Sequence, residues 1–379
     1  MLEYVQSNLS LIFLICLSAI TFFLLLYYGV LFVRFAFHKP KKIKDFRQDP
    51  ISIVVTASDQ AHHLSRTLPA LLSQQYNDFE VIVVSDNSHD DTQAVVEDYQ
   101  KQFDNLVLVD LNSSYSTIKG KKFPLSIGIK EAKHDLILLT DADCLPASPY
   151  WLQNMAKHFV NGKQIVLGYC TYEKGSGFFN RLLRFDALQT AVQYFSYSLA
   201  KMTYMGRGQN LSYTKDLFFK QKGFASHNHI EYGDDDIFVG RAATAKNCDI
   251  EYFEGAFTVA RPKATFRRWF KEKKGYTTTK AFYRPKIRFL LSAFGLLNIL
   301  FYVFLGLAVA YSVYTLPILI AVLSVFVFKT LCQYLVFGFS AAKLKEKEII
   351  PHIFFMDIIY SFLSIFIYLS AKFSKNSFC

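Results

Sequence analysis

Residues 135–144 read DLILLTDADC, an apolar run that ends in two aspartates one residue apart. The aliphatic side chains before Thr140 are typical of a buried strand. Asp141 and Asp143 follow directly, and two carboxylates at the end of a buried strand repel each other unless a cation joins them. A hard divalent cation with phosphate oxygens and water as its other ligands suits this arrangement. The stretch therefore predicts a metal–diphosphate site at the end of a strand.

Similar apolar runs precede this stretch, at residues 51–57, 79–85 and 106–110. The segments between the runs have the apolar spacing of helices: 64–72, 92–103 and 122–132. Apolar strands that alternate with helices predict an α/β fold with a mainly parallel sheet and helices on both faces. Ligands of such sheets bind at the carboxyl ends of the strands, so the polar residues that follow each strand are the informative ones.

The composition indicates that part of the chain does not face water. Hydrophobic residues make up 52% of the 379 residues and charged residues 19%, whereas roughly 25% charge is usual in soluble proteins. Aromatic residues reach 17%, with only 17 glycines and 10 prolines, which excludes disordered, collagen-like and low-complexity classes. The six cysteines have no metal-binding spacing, as is typical of reduced thiols inside a cell.

Four long apolar stretches can cross a bilayer as helices. They are residues 9–33, 289–314, about 316–340 and 349–370. The segment 34–50 after the first stretch has a net charge of +4, and lysine and arginine mark the cytoplasmic side of a span. We therefore expect an uncleaved N-terminal anchor, followed by a cytoplasmic domain and about three further spans.

Residues 261–288 carry eleven lysines and arginines against one glutamate, a net charge of +10 in a chain whose total is +11. Such a run also occurs in nucleic-acid-binding proteins. Here aromatic residues are interleaved with the charges and a predicted span follows directly, which favours a segment that lies on anionic lipid headgroups. We therefore predict membrane lipids, and no nucleic acid, as its partner.

Six motifs in a fixed order carry a family resemblance. They are ISIVVTAS from residue 51, EVIVVSDNSHDDT over 80–92, GKKFPLSIGIKEA over 120–132, DLILLTDADC over 135–144, GRGQNLSY over 206–213 and GDDD over 233–236. Over about residues 50–260 the chain resembles a family 2 glycosyltransferase with the GT-A fold, a Rossmann-like α/β fold. The flanking spans resemble those of membrane-integrated enzymes of the cellulose- and hyaluronan-synthase-like superfamily.

The resemblance implies a multi-pass protein of the bacterial inner membrane with its catalytic domain in the cytoplasm. The predicted parts are an anchor over 1–34, the GT-A domain over 50–260, a basic aromatic interfacial segment over 261–288 and about three transmembrane helices over 289–379.

The resemblance also implies a nucleotide site and a metal site. The nucleotide-binding residues would be Thr56, Ala57, Asp86, Lys121 and Asp141. Asp143, together with Asp141, would hold Mg²⁺ or Mn²⁺. Lys121 would lie near the diphosphate, and Lys122 is a neighbour that could take its place.

A further set of residues would bind the donor sugar and the acceptor. By resemblance these residues are Gly208, Gln209, Asn210, Asp234 and Trp269. The resemblance places the family's base motif on residues 233–236, and with Arg241 aligned to the arginine that commonly closes this motif, Asp235 would be the catalytic base. Three consecutive carboxylates disfavour one another's ionisation, so we expect at least one raised pKa among residues 234–236.

The implied reaction is an inverting, metal-dependent transfer from a UDP- or GDP-sugar to a lipid-linked or glycan acceptor, in cell-surface glycan synthesis. Processive synthases of this family carry Q-x-x-R-W. Trp269 is present here but the full motif is not, and this favours a single-sugar transferase. A processive polysaccharide synthase and exporter, and a non-catalytic membrane sensor of nucleotide sugars, are the alternatives.

Two charges lie inside the predicted C-terminal spans, Lys329 near the middle of 316–340 and Asp357 in the last stretch. An unpaired lysine at such a depth costs at least about 2.5–3.5 kcal/mol on insertion scales. The long lysine side chain reaches about one turn toward the loop at 343–348, which brings the depths of the two charges together. We therefore predict an ion pair between Lys329 and Asp357 inside the bundle.

The charge distribution predicts where fused reporters will be active. A reporter that works only in the cytoplasm should be active at residue 45 or 345, and silent at residue 315, because lysine and arginine flank the first two positions. A cytoplasmic signal at residue 315 would instead mean that 289–340 forms a surface hairpin. Alkaline phosphatase fusions at the same positions measure the opposite side of the membrane.

Overall fold

The computed structural model describes residues 2–40, 43, 48–111, 120–262 and 265–373. The chain forms two compact units, one of Lys39–Tyr283 and one of Met1–His38 with Arg284–Cys379. Part of the predicted basic run 34–50, residues 41–42 and 44–47, lies outside the described residues, as do residues 263–264 of the basic segment.

The elements are numbered in chain order. The strands are β1 Ile51–Ala57, β2 Phe79–Asp86, β3 Leu106–Leu111, β4 Leu136–Asp141, β5 Cys144–Pro146, β6 Ile165–Leu167, β7 Cys170–Tyr172, β8 Leu211–Thr214, β9 Cys248–Ile250 and β10 Thr258–Ala260. The helices are α1 Leu2–Leu26, α2 Val33–Ala36, α3 Ala61–Leu72, α4 Thr92–Gln100, α5 Lys122–Glu131, α6 Trp151–Ala156, α7 Phe178–Leu199, α8 Lys215–Lys220, α9 Asp236–Ala242, α10 Phe266–Thr279, α11 Pro285–Ser312, α12 Leu316–Lys343 and α13 Ile353–Phe373. A π-helical turn, Tyr27–Phe32, joins α1 to α2.

The central sheet of the first unit has the strand order β3-β2-β1-β4-β8-β6-β9. Strands β1 to β4 are parallel, and β8 runs antiparallel to both β4 and β6. Ile53, Val83 and Leu138 are fully buried, because helices cover both faces of a parallel sheet. The predicted α/β fold with a mainly parallel sheet is confirmed.

A second, smaller sheet, β5-β10-β7, places three side chains at one end of its strands. Ala260 of β10 is in register with Cys144 of β5 and with Tyr172 of β7. Asp143 precedes Cys144, Arg261 follows Ala260 and Glu173 follows Tyr172. The backbone N–H of Arg261 donates to the carbonyl of Asp143 over 3.3 Å. The register of this sheet therefore brings Asp143, Arg261 and Glu173 together.

The structure differs from the predicted division at residue 260, because the compact unit continues to Tyr283. Helix α10, which lies in the predicted interfacial segment, packs against α7. Trp269 is only 1% exposed and its indole Nε1 donates to Asp186 over 3.1 Å. The ammonium of Lys273 lies 2.5 Å from the same carboxylate. A buried carboxylate needs donors and a counter-charge, and α10 supplies both to Asp186.

The second unit contains four helical segments that are long and apolar enough to cross a bilayer. They are Asn8–Ala36, Pro285–Ser312, Leu316–Lys343 and Lys347–Phe373. These segments coincide with the four predicted spans. The second begins four residues earlier than predicted, since Pro285 occupies the first turn, where its missing N–H costs nothing.

The predicted ion pair inside the spans is present. The Lys329 ammonium lies 3.5 Å from Oδ2 of Asp357, and both side chains are buried. Lys329 also donates to Gln333 over 2.7 Å, and the Tyr302 hydroxyl donates to Asp357 over 2.6 Å. The pair is thus hydrogen-bonded on both sides, which is the condition under which a buried pair is tolerated.

The pair predicts a specific pattern of stabilities. Lys329→Met and Asp357→Leu should each destabilise the purified protein by about 3–5 kcal/mol, because each leaves one buried charge without its partner. The double variant should recover most of the loss in a thermal-unfolding assay in detergent. Lys372→Met, an exposed lysine at the end of α13, is the matched control. Strictly additive losses in the double variant would contradict the coupling.

Candidate active site

The Asp141–Asp143 turn is held in place from two sides. Asp141 ends β4, and the Thr67 hydroxyl of α3 donates to the carbonyl of Ala142 over 2.9 Å. Arg261 bonds the carbonyl of Asp143 from the other side. Both aspartates therefore stand at the carboxyl end of the parallel sheet, where the sequence places the metal site.

The residues at this turn fit a hard divalent cation. One carboxylate oxygen each of Asp141 and Asp143 and the sulfur of Cys144 lie within 4.8 Å of one another. Burial raises the pKa of the Cys144 thiol well above its usual range, and hard cations prefer oxygen ligands to sulfur. The two carboxylates that remain are the oxygen donors that Mg²⁺ and Mn²⁺ prefer.

Two adjacent lysines at the start of α5 have different surroundings. The ammonium of Lys121 lies 2.5 Å from Oδ1 of Asp141. Lys122 points inward and donates to the carbonyls of His227 and Ile230, over 2.8 and 2.6 Å. Burial lowers the pKa of Lys122 to about 8. Lys121 thus lies beside the carboxylate of Asp141. Lys122 instead binds the segment that precedes the acidic motif, so it does not take the place of Lys121.

The predicted nucleotide-binding residues occupy neighbouring strand ends. Thr56 of β1 is in register with Asp141 of β4 on one side and with Val84 of β2 on the other. Ala57 and Asp86 end their strands, and burial raises the pKa of Asp86. Thr56, Ala57 and Asp86 therefore line the same sheet edge as the Asp141–Asp143 turn.

The acidic motif sits at the start of α9, and the side chain of Asp235 is fixed by three donors. Its Oδ2 accepts from the Gly208 N–H over 3.1 Å and from the Tyr276 hydroxyl over 3.0 Å. Its Oδ1 accepts from the Asp236 N–H over 2.7 Å. Asp236 accepts from the hydroxyls of Thr279 and Tyr283. Residues 276–283 therefore supply three hydroxyl groups to this motif.

The pKa values of all three carboxylates of the motif are raised, where the sequence predicts at least one raised value. Burial raises the pKa of Asp234 to about 7, the charge of Asp235 adds to this, and Lys121 opposes it. Burial and Asp235 likewise raise the pKa of Asp236 to about 6. Burial also raises the pKa of Asp235, against the guanidinium of Arg207. Asp234 therefore titrates near neutral pH.

Arg207 is a buried cation near the acidic motif. Its guanidinium lies 5.3 Å from the ring centroid of Tyr276 and donates to Oε1 of Gln209 over 3.2 Å. The sequence prediction named the adjacent residues Gly208 and Gln209 but passed over Arg207. A lone arginine before a glycine carries no spacing signal, so only the fold reveals its role.

Two predicted ligand-binding residues are used inside the protein. Asn210 is fully buried. Its amide donates to the carbonyls of Tyr169 and Ala256 and accepts from the Trp151 indole, over 2.8–3.1 Å. The indole N–H of Trp269 donates to Asp186. The aromatic residue of α10 that contacts the predicted base is Tyr276. Asn210 and Trp269 instead form buried hydrogen bonds with other residues of the protein.

Comparisons with known proteins agree with this geometry. Residues 52–223 match the family model described as "Glycosyl transferase family 2". A probable glycosyltransferase of Bacillus subtilis, YdaM, is 27% identical over 159 residues, 41% of this chain and 35% of its own. Poly-β-1,6-N-acetyl-D-glucosamine synthase of Staphylococcus aureus strain COL is 26% identical over 129 residues, 33% of this chain and 30% of its own. The chain therefore matches about a third of the length of these curated relatives.

A solved structure shares the fold over most of the chain. It is the mannosyltransferase PcManGT of Pyrobaculum calidifontis in complex with GDP-Man and Mn²⁺, with a TM-score of 0.56 and 18% identity. The similarity covers 90% of this chain and 99% of the mannosyltransferase. The chain thus has a GT-A-like fold, and residues 52–223 within it match the family 2 glycosyltransferase model.

The hydrogen bond from Tyr276 predicts a change in the pH profile. In Tyr276→Phe the Asp235 carboxylate loses a donor that lowers its pKa, so its pKa rises. More of the enzyme then carries a protonated Asp235 at a given pH, and the acidic limb of the kcat/KM profile should move to higher pH. Tyr283→Phe, which removes a donor from Asp236 instead, is the comparison. An unchanged acidic limb in Tyr276→Phe would contradict a role for this bond.

Proposed function

We propose that this family 2 glycosyltransferase domain moves a sugar from a nucleotide diphosphate sugar to a membrane-associated acceptor, with a divalent cation and with inversion. The observation that carries the proposal is the position of Lys121. Its ammonium bonds Asp141 and lies within electrostatic reach of Asp143 and Asp234. The Lys121 ammonium therefore places one positive charge near both the predicted metal-binding carboxylates and the acidic motif. Positive charge there would stabilise an anionic leaving group.

The donor would lie along the edge formed by β1, β2 and β4. The Asp86 carboxylate can accept from an N–H of uracil or guanine, and Thr56 and Ala57 border the same edge. The named complex of the mannosyltransferase with GDP-Man and Mn²⁺ supports a nucleotide sugar and a divalent cation as partners. Asp141 and Asp143 would hold that cation, which when bound adds positive charge against the leaving diphosphate.

The protein's own residues would carry the proton transfer. The Asp235 carboxylate, oriented by the Gly208 N–H and the Tyr276 hydroxyl, accepts the proton of the acceptor hydroxyl. The acceptor oxygen forms a bond to the anomeric carbon while the bond from that carbon to the diphosphate oxygen breaks. Lys121 stabilises the charge that develops on the diphosphate. A single displacement of this kind inverts the anomeric centre.

The acceptor is proposed to be lipid-linked or a membrane-associated glycan. Four helices that can cross a bilayer are part of the same chain, and the basic residues of 261–288 suit an anionic lipid surface. The lysine and arginine distribution supports a catalytic domain on the cytoplasmic side of a bacterial inner membrane. Transfer next to the membrane would keep the acceptor within reach of Asp235.

A polysaccharide synthase is the second candidate. The similarity to a poly-β-1,6-N-acetyl-D-glucosamine synthase favours it, since that relative makes a polymer by its name. Product length separates the two candidates: a labelled UDP- or GDP-sugar given to the detergent-purified chain yields either one added sugar or a ladder. Nucleotide binding without any transfer would contradict both.

If Asp235 is the base, replacing it should impair catalysis and leave nucleotide binding intact. Asp235→Asn should lower kcat by about 10²–10⁴-fold, the usual contribution of a general base, while nucleotide affinity measured by calorimetry is retained. Asp98→Asn, an exposed carboxylate of α4, is the matched control. Normal turnover in Asp235→Asn would remove this residue from the mechanism.

Replacing a proposed metal ligand should instead impair nucleotide binding itself. Asp143→Ala should abolish the increase in UDP or GDP affinity that Mn²⁺ produces, because the cation loses one of its two carboxylates. Calorimetric titrations with and without Mn²⁺ measure this difference directly. An unchanged metal dependence would place the cation elsewhere.

A further inference from the structure

The segment 226–233, which leads into the acidic motif, contacts two parts of the site through one residue. His227 lies near the start of this segment and is only 1% exposed. Its Nε2 lies 2.9 Å from the carbonyl oxygen of Gly233, the residue before Asp234. Its own backbone carbonyl accepts from the Lys122 ammonium over 2.8 Å. His227 therefore connects the acidic motif to the start of α5.

The partners of the His227 ring determine where its proton lies. A carbonyl oxygen only accepts, so Nε2 carries the hydrogen that is bonded to Gly233. Nδ1 lies 2.9 Å from the Ser226 hydroxyl, which in turn accepts from Nη1 of Arg241 over 2.5 Å. A neutral ring thus accepts at Nδ1 and donates at Nε2. The result is a directional chain that runs from the last turn of α9 through this ring to the carbonyl ahead of the first turn.

The surroundings of His227 keep its ring neutral. Burial lowers the pKa of His227 to about 4. The neighbouring Lys122, Arg241 and His229 lower this pKa further, and the bond to Gly233 opposes them. An unperturbed histidine changes its charge near pH 6.5. His227 instead keeps one tautomer, and therefore one donor, across the neutral range.

The backbone is closely packed at both ends of this connection. Gly233 has a φ of +107°, and a Cβ at this position would overlap the side chain of Ile237. At the other end, a Cβ at Gly120 would overlap the carbonyl oxygen of Glu231. Close-packed groups of this kind transmit a displacement to their neighbours. A shift of the segment 226–233 would therefore move both the acidic motif and the N-terminus of α5.

Lys121 is the catalytic group that these contacts place. It stands at the N-cap of α5, its ammonium bonds Asp141, and its charge acts on Asp234. We propose that His227 is a positioning residue that holds the acidic motif at a fixed distance from Lys121. The inference rests on the proposed function, in which Lys121 stabilises the leaving diphosphate while Asp235 takes the proton. Both groups act in one displacement, so their separation has to match the substrate.

Two amide substitutions separate the hydrogen bond of the ring from its bulk. In His227→Gln the amide nitrogen reaches the position of Nε2 and can donate to Gly233, whereas the shorter amide of His227→Asn reaches only the position of Nδ1. His229→Asn, at an exposed histidine of the same segment, is the matched control. Transfer from UDP- and GDP-sugars by the full chain in detergent with Mn²⁺ gives kcat and KM. Calorimetry with UDP and GDP gives the nucleotide affinity, and thermal unfolding gives the stability of each variant.

We expect His227→Asn to lower kcat by up to about 10²-fold, because a displacement of about 1 Å in a reacting group costs this much. The KM for the nucleotide sugar and the affinity for UDP or GDP should stay unchanged, since the Asp141–Asp143 turn is not touched. His227→Gln should recover most of the lost kcat. A role in stability alone would not separate kcat from KM in this way. Equal kcat values in the Gln and Asn variants, whether both normal or both low, would overturn the proposal.

A second measurement needs no activity and no variant in the active form. Nitrogen-15 labelling of the nine histidines reports the tautomer of each ring by NMR, and the signal that is lost in His227→Gln belongs to His227. We expect an Nε2–H tautomer that is constant between about pH 5.5 and 8, where an exposed histidine titrates. A charged ring or an Nδ1–H tautomer in this range would overturn the proposal while the proposed function stands. A wild type that transfers no sugar would overturn the proposed function, and with it the proposal, whatever the tautomer.

Discussion

Repulsion among the carboxylates of Asp141, Asp143 and Asp234–Asp236 is the constraint on which the rest of the domain depends. Like charges brought together out of water raise one another's pKa unless donors or cations offset them. The chain offsets them with Lys121 at Asp141, Arg207 near Asp235 and hydroxyl groups at Asp235 and Asp236. Burial first, and the charge of Asp235 second, still raise the pKa values of Asp234 and Asp236. A site of this kind is prepared to receive further positive charge.

The same constraint explains why α10 belongs to the compact unit Lys39–Tyr283. The acidic motif needs donors on the side that the central sheet does not reach, and Tyr276, Thr279 and Tyr283 supply them. Asp186 anchors the helix through Trp269 and Lys273. Arg267 and Lys271 of the same helix are exposed, as the proposed contact with a lipid surface requires. One helix thus combines a structural task at the acidic motif with a charge pattern suited to the membrane.

The sequence predicts the parts of the fold whose alternatives are physically excluded. The apolar run before Asp141 is stable only when buried, and it forms a buried strand. Two opposite charges inside apolar spans have few other partners, and Lys329 and Asp357 pair with each other. The inward packing of α10 was not predicted, because aromatic residues suit a protein interior and a lipid interface equally. A signal was present, however. Trp269, Glu272, Tyr276, Thr279 and Tyr283 recur three or four residues apart, which is the spacing of one helix face.

Three identical residues in a row acquire different tasks from their partners. Asp236 is bound by two hydroxyl groups and starts α9, so its carboxylate is structural. Asp234 faces Lys121, and with a pKa of about 7 it is half protonated near neutral pH. A protonated Asp234 removes one negative charge from beside Asp235, which favours the ionised form of Asp235. Asp235 is also fixed by Gly208 and Tyr276, so of the three carboxylates its orientation suits the proposed base.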